Sequence, residues 1–340
     1  MAALVHPLAY PLDSADLFHP FAAEPWSVFL DSGKGAGRFD IIAARPIKTL
    51  VTTGLETVIV QDGNALRSTD DPFDLLRQNL QTDSKCRYEP WPLIGGAIGY
   101  FGYDLSRRIE RLPDHHSAVD PFPDMAFGIY PWTVVVDHQE RRAALLAREE
   151  MISGHDWQEL QARFSHISSD SDPVERASFK AIDDPVGFPD RDDYGALFKA
   201  VQHYIREGDC YQINLARRYE AVAEGDPWSG YRELRNISPV PYGAFFNPGC
   251  GCLLSSSPER FLTLNGTWVN TSPIKGTRPR HADSEKDAAL ADELRNSPKD
   301  RAENLMIVDL LRNDLGRSCC IGSIKVDDLF RVETFPTIHH

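Results

Sequence analysis

Lys275 lies in Thr271-Ser272-Pro273-Ile274-Lys275-Gly276-Thr277-Arg278-Pro279-Arg280, where turn-forming residues box in a single amine. Pro273 fixes its own φ and biases Ser272 toward extended backbone. Gly276 has no Cβ, so a close approach of backbone to a ligand is expected there. Thr277 places a hydroxyl beside that gap, and Arg278 and Arg280 add positive charge. An amine held this way can serve as a nucleophile or as an electrostatic clamp on a small anion. An ordinary basic surface turn has the same letters, so the neighbours of the loop must decide.

Two carboxylate-bearing stretches flank it. Glu259 follows Pro258 and, taken alone, reads as an ion-pair partner for Arg260 or another neighbour. Residues 297–316 form the cleanest helical pattern in the chain. Ser297 can cap it, Pro298 suits its first position, Asp300 stands at a capping-box-like spacing, and Gly316 closes it. Asp300, Glu303 and Ile307 share one helical face. Asp300 near the N-terminus is accounted for in part by the helix dipole, and Glu303 by solvation or ion pairing.

The elements that must position these groups suggest an α+β fold, with antiparallel β-sheets packed face to face and helices outside. Val28-Phe29-Leu30 and residues 39–44 read as strands around a glycine-rich turn. That turn, Gly33-Lys34-Gly35-Ala36-Gly37, lacks the G-K-[ST] ending and following helix of a phosphate loop. Residues 49–60 read as two strands split at Gly54. Asp71-Pro72 opens a helix, residues 95–104 form a glycine-dense core strand, and residues 125–136 with 142–146 resemble one hairpin. Asp190 caps a helix whose apolar stripe runs from Tyr194 to Ile205 and which Gly208 closes. A strand over 210–219 would place Gln212, Asn214 and Ala216 on one face. Further strands are expected over 243–246, 252–255 and 260–264. The expected organisation is an N-terminal region at 1–150, a connecting segment at 151–190 with its linker at 168–173, and a site-bearing region at 191–340.

Composition excludes several function classes. The 340 residues carry a net charge of −14, which argues against nucleic-acid binding but leaves local basic sites free to hold an anion. Six cysteines show neither C-x-x-C pairs nor disulfide-scaffold density, so a reducing, cytoplasmic setting is expected. Cys250 and Cys252 with His339 and His340 make an unconvincing zinc set, because C-x-C spacing is unusual and no closing pair appears. No signal peptide or membrane-span-length apolar run is evident.

Four stretches together resemble the chorismate-utilising enzymes, a family that includes the anthranilate, aminodeoxychorismate, isochorismate and salicylate synthases. They are Gly208-Asp209-Cys210-Tyr211-Gln212-Ile213-Asn214, Ser255-Ser256-Ser257-Pro258-Glu259-Arg260, the Lys275 loop, and Ser297-Pro298-Lys299-Asp300-Arg301-Ala302-Glu303-Asn304 running to Arg317. The resemblance covers the chain from about Pro25 onward and implies the same fold class. It also implies chorismate as substrate, Mg²⁺ bound by Glu303 and assisted by Asp300, and Glu259 as the acid that protonates the departing ring hydroxyl. Gly276, Thr277 and Gln212 would contact substrate, and His340 matches an active-site histidine. Family members that add water carry a lysine where this chain has Gln212, so the resemblance points to amination. Pro-Ile-Lys-Gly-Thr is typical of aminodeoxychorismate synthases, in which the lysine is proposed to attack the ring; anthranilate synthases usually have alanine there. Ammonia would come from a glutaminase partner, since no cysteine lies in a G-x-C-x-G elbow here. Ser32, Arg38, Phe39, Pro241, Tyr242 and Gly243 match a pocket for L-tryptophan, although ordinary sheet-edge packing explains them equally. The family continues past the position of His340, with a second magnesium-binding glutamate in that part, so a C-terminally shortened chain is expected. The alternatives are an anthranilate synthase component I, or a non-catalytic fragment that binds tryptophan or the glutaminase.

Overall fold

The computed structural model describes residues 3–80, 90–112, 122–167 and 177–340; the expected linker at 168–173 and Cys86 lie outside them. Two compact units separate, Met1–Asp172 with Tyr231–His340, and Pro173–Gly230. In chain order the first unit begins with β1 (Ala3–Leu8), α1 (Ser14–Phe18), β2 (Ser27–Asp31), β3 (Phe39–Ala43), β4 (Lys48–Thr53), β5 (Glu56–Gln61) and β6 (Asn64–Ser68). It continues with α2 (Pro72–Asn79), β7 (Gly96–Phe101), β8 (Met125–Tyr130), β9 (Trp132–Asp137), β10 (Arg142–Arg148) and α3 (Gly154–Ile167). The second unit holds β11 (Lys180–Ala181), β12 (Val186–Phe188), α4 (Arg191–Glu207), β13 (Arg218–Glu220), β14 (Ala223–Glu224) and the start of α5 (Pro227–Ile237). The first unit then resumes with β15 (Gly243–Asn247), β16 (Leu253–Ser255), β17 (Thr263–Asn265), β18 (Trp268–Asn270), β19 (Arg278–Pro279), α6 (Ser284–Asn296), α7 (Pro298–Gly316) and β20 (Ile338–His339).

Strand alternation builds two facing antiparallel sheets, ordered β1-β10-β9-β3-β2-β15-β16 and β6-β5-β4-β8-β7. Along β2, Val28 faces the five-stranded sheet, in one cluster with Ala43, Ile98, Ala126, Tyr130 and Phe246. Phe29 points the other way, where it stacks on Phe18 of α1 at 5.6 Å and meets Tyr231 of α5 edge-on. Phe21, Trp132 and Phe164 of α3 extend that aromatic layer. Burying each such ring contributes about 1.5–3 kcal/mol. The seven-stranded sheet is therefore covered on both faces, and β9 is buried along its whole length. Helix α2, capped by Asp71, packs Leu75 and Leu76 against Leu50, Ile59 and Phe127 on the outer face of the five-stranded sheet.

Pro131 corrects the expectation of one hairpin over 125–146. It interrupts the run, and β8 pairs with β4 and β7 while β9 pairs with β3 and β10 in the other sheet. Only β9 and β10 form a hairpin. In the second unit α4 is capped by Asp190, which accepts from the amides of Asp192 and Asp193, and is closed by Gly208 at φ 81°. The expected strand over 210–219 shrinks to β13, because pairing with β12 begins only at Arg218; Gln212 and Asn214 sit on irregular backbone. The strand expected at 260–264 likewise starts at Thr263.

Candidate active site

The loop bearing Lys275 leaves β18 and enters β19, whose pairing with β20 sets Arg278 opposite His339 and Pro279 opposite Ile338. That pairing carries His340 to the loop: Thr277 Oγ1 lies 2.9 Å from His340 Nδ1. The other ring nitrogen, Nε2, is buried and has no hydrogen-bond partner among the described residues. Lys275, Gly276 and His340 line one cavity of about 300 Å³, closed by α7 and by residues 324–333. Basic side chains on its wall, among them Arg260, Arg301, Arg312 and Lys325, outnumber acidic ones such as Asp300 and Asp328. A chain with a strongly negative total charge thus keeps a locally positive cavity, suited to an anionic ligand.

Glu259 is tied to this loop from outside the cavity. Its Oε1 accepts the Ile274 N–H at 2.9 Å, one residue before Lys275. It does not pair with Arg260, whose guanidinium donates to Asn270. Gly276 does allow a close approach, but to protein. A Cβ there would stand 2.6 Å from Leu294 Cδ1 and 2.9 Å from Asp300 Cβ, so the loop is seated on the junction of α6 and α7. The neighbour expected to be a ligand is therefore a helix junction.

Asp300 is not free. Ser297 and Arg278 hold its carboxyl below its ordinary value, and the Arg278 guanidinium lies 3.1 Å away while also donating to Glu293 at 2.9 Å. Glu303 is half-buried, and its carboxylate makes no hydrogen bond or ion pair among the described residues. The face of α7 turned to the cavity runs through Asp300, Asn304, Val308, Leu311 and Leu315, one helical row that omits Glu303. Asn304 and Arg301 escaped the sequence reading; the 4-4-3-4 spacing of that row is the signal that finds Asn304. Gln212, half-buried, belongs to the second unit. Cys250 is exposed and Cys252 half-buried, His339 is engaged by Asp287, and among the described residues no cluster of His, Cys, Asp or Glu could hold a zinc ion.

A second cluster gathers at the corner where β2 ends and β3 and β15 begin. Ser32 donates from its amide and its hydroxyl to Asp40 at 2.7 and 2.6 Å. Arg38 pairs with Asp137 through two hydrogen bonds and lies over the Phe39 ring at 4.6 Å. Against burial, which raises it, Arg38 and Arg142 bring the Asp137 carboxyl down to about 2. Pro241 packs near Gly37, Tyr242 donates its amide to Ser257, and Gly243 pairs with Asp31. Ser32 and Pro241 meet around Gly37, but the polar groups of Ser32 and Arg38 are taken by neighbours. Beneath them lies a buried polar network. Arg235 bridges Asp31 at 2.6 Å and Asp13 at 2.6 Å, and His138 joins Asp40 at 2.8 Å to Tyr10 at 2.9 Å. Burial pushes the Asp31 carboxyl up despite Arg235. At Asp40, hydrogen bonds from His138, Ser14 and Ser32 outweigh burial and hold the carboxyl below its ordinary value.

A profile of the chorismate binding enzymes matches residues 27–340. Aminodeoxychorismate synthase component 1 of Klebsiella aerogenes is 43% identical over 331 residues, covering 95% of this chain and 70% of that protein. The protein of the same name from Escherichia coli K12 is 43% identical over 339 residues, covering 98% and 73%. Among solved structures, anthranilate synthase component I from Streptococcus pneumoniae TIGR4 superimposes with a TM-score of 0.72 at 26% identity, covering 89% of this chain and 68% of that one. The span of the match and the depth of identity agree with the Lys275 cavity: the chain belongs to the chorismate-binding enzyme family.

Proposed function

We propose that this chain aminates chorismate to 4-amino-4-deoxychorismate in folate biosynthesis, with ammonia delivered by a glutaminase partner. The observation that carries the proposal is Lys275, on the wall of a positively lined cavity that also holds His340. The relatives named component 1 support both the product and the existence of a second component. In the reaction the Lys275 amine forms a bond to the chorismate ring as the ring hydroxyl leaves. Glu259 supplies the proton that lets it leave as water. Ammonia then displaces the lysine, so the balance is one ammonia in and one water out. The tie from Glu259 to the Ile274 amide holds the acid against the loop that carries the nucleophile.

Magnesium fits in part. The Glu303 carboxylate, on the first turns of α7, has no partner among the described residues but stands off the cavity wall, and a hard cation of this kind accepts one or two protein carboxylates together with substrate oxygens and water. Asp300, committed to Arg278, is not assigned to it. When bound, Mg²⁺ would neutralise a substrate carboxylate. Tryptophan binding at Ser32, Arg38, Phe39, Pro241, Tyr242 and Gly243 is part of the proposal, and calorimetry with L-tryptophan tests it. Cytoplasmic placement rests on the cysteine usage of the sequence, six residues with neither C-x-x-C pairs nor disulfide-scaffold density. Among those residues no helix is long and apolar enough to cross a membrane.

Incubation with chorismate, Mg²⁺ and ammonium, followed by product analysis, tests the main proposal. Aminodeoxychorismate supports it. Anthranilate with pyruvate overturns it in favour of the anthranilate synthase alternative, and no turnover favours a binding-only role.

A further inference from the structure

Asp287 stands in the first turns of α6, and its carboxylate collects donors from the residues just after β19 and from β20. Arg280 Nε lies 2.9 Å from Oδ1 and 3.0 Å from Oδ2, and its Nη2 lies 2.9 Å from Oδ2. The His281 amide donates to Oδ1 at 2.8 Å, and His339 Nε2 approaches the same oxygen at 3.0 Å. Arg280 reaches on to the carbonyl of Phe335 at 2.7 Å, and the Phe335 ring packs edge-on against His340. His339 is 2% exposed, and its second nitrogen meets Thr334 Oγ1 at 2.9 Å.

We infer that Asp287 is a positioning residue: it clamps the Lys275 loop to the strand that presents His340. The inference rests on the roles proposed above for Lys275 and His340. The strands it joins, β19 and β20, have two residues each. A ladder that short is marginal without added support. One carboxylate provides that support by gripping Arg280, five residues past Lys275, and His339, the residue before His340. The 2.9 Å contact between Thr277 and His340 depends on both strands staying in register. An acidic residue early in a helix also gains from the helix dipole, and that is the competing, purely structural role.

The experiment compares Asp287→Asn with Asp283→Ala. The second removes the N-cap of the same helix, where Asp283 accepts the amides of Glu285 and Lys286, and leaves the clamp intact. Asn keeps the shape of Asp287 but turns an NH2 group toward the donors. In the ammonium-dependent assay kcat of Asp287→Asn falls on the order of 10- to 100-fold, as expected for a displacement near 1 Å, with KM for chorismate within about twofold. Asp283→Ala lowers the melting temperature but keeps kcat. Arg280→Lys, which retains a single donor to Asp287, gives a smaller kcat loss in the same direction and serves if Asp287→Asn does not fold. Wild-type kcat in either clamp variant, or an equal kcat loss in Asp283→Ala at equal loss of stability, overturns the inference. The ¹⁵N shifts of the His340 ring give a readout independent of turnover. They change in the clamp variants, and unchanged shifts overturn the inference. Wild-type protein that makes no aminodeoxychorismate counts against the functional proposal and leaves the ring test standing.

Discussion

Gly276→Ala probes how the lysine loop is seated. The new methyl group would lie 2.6 Å from Leu294 Cδ1 and 2.9 Å from both Cβ and Cγ of Asp300. Carbon atoms in ordinary contact stand about 3.5–4.0 Å apart, so the shortfall is roughly 1 Å against two helices at once. Neither neighbour yields easily: Leu294 is 6% exposed, and Asp300 is held by Arg278. Overpacking of this kind costs about 1–3 kcal/mol. The φ of Gly276 lies outside the left-handed region, so alanine adds no backbone strain and recovers about 0.4–1 kcal/mol from the unfolded chain. The net expectation is a destabilisation of up to about 2.6 kcal/mol in urea unfolding. Relief by moving the loop about 1 Å also displaces Lys275, and kcat then drops by about 10- to 100-fold. Leu294→Ala opens one side of the clash, so the double variant should be more stable than the two single effects predict, with a coupling of at least about 0.5 kcal/mol. An alanine variant as stable and active as wild type, or strict additivity with Leu294→Ala, would refute the seating of the loop on the helix junction.

Lys275→Ala should suppress aminodeoxychorismate formation while chorismate binding persists. Intact-mass analysis after exposure to chorismate without ammonia should show an adduct on wild type only, and an unmodified Lys275 leaves the residue an electrostatic role. Glu303→Gln should raise the Mg²⁺ concentration needed for half-maximal rate by tenfold or more, an estimate for losing one carboxylate ligand, and an unchanged magnesium titration removes Glu303 from the cation. Arg235→Met should cost about 3–5 kcal/mol, because it strands Asp31, 2% exposed at its side chain, without its counter-charge; a loss below about 1 kcal/mol in urea unfolding contradicts this. His138 binds its proton more tightly when folded, chiefly through the Asp40 hydrogen bond and against the opposing effect of burial. Its contribution to stability is therefore complete below about pH 6.5 and disappears as pH rises through the higher folded value. Urea midpoints should fall over that window in wild type and lose that slope in His138→Gln.

Local signals were the legible ones. Asp71-Pro72, Asp190 with Gly208, and Ser297-Pro298 predicted helix ends that α2, α4 and α7 adopt, because a cap is decided within four residues. The family of the chain was legible from the motifs around Gln212, Glu259, Lys275 and Glu303. Long-range choices were not. Nothing near Pro131 reveals that the chain changes sheets there, since β8 pairs with β4 and β9 with β3, strands far away in sequence that belong to different sheets. The alternation at 210–217 has the letters of a strand, yet only Arg218–Glu220 finds a partner. The contact made by Gly276 was foreseen in kind and mistaken in object, because Leu294 and Asp300 reach it only through the fold. The grip of Asp287 on His339 spans 52 residues and leaves no local trace.

The pairing of β2 has a consequence for synthesis. One edge of β2 is matched by β3 within a few residues, but the other waits for β15. Those strands are separated by roughly 200 residues, or on the order of ten to forty seconds of translation. Throughout that interval the nascent chain presents an open strand edge carrying Val28, Phe29 and Leu30. Such an edge is a template for pairing with another chain. Slow decoding between Asp31 and Gly243 therefore lengthens the exposure, and crowded polysomes turn it into a route to co-translational aggregation that a chaperone bound at this edge would close.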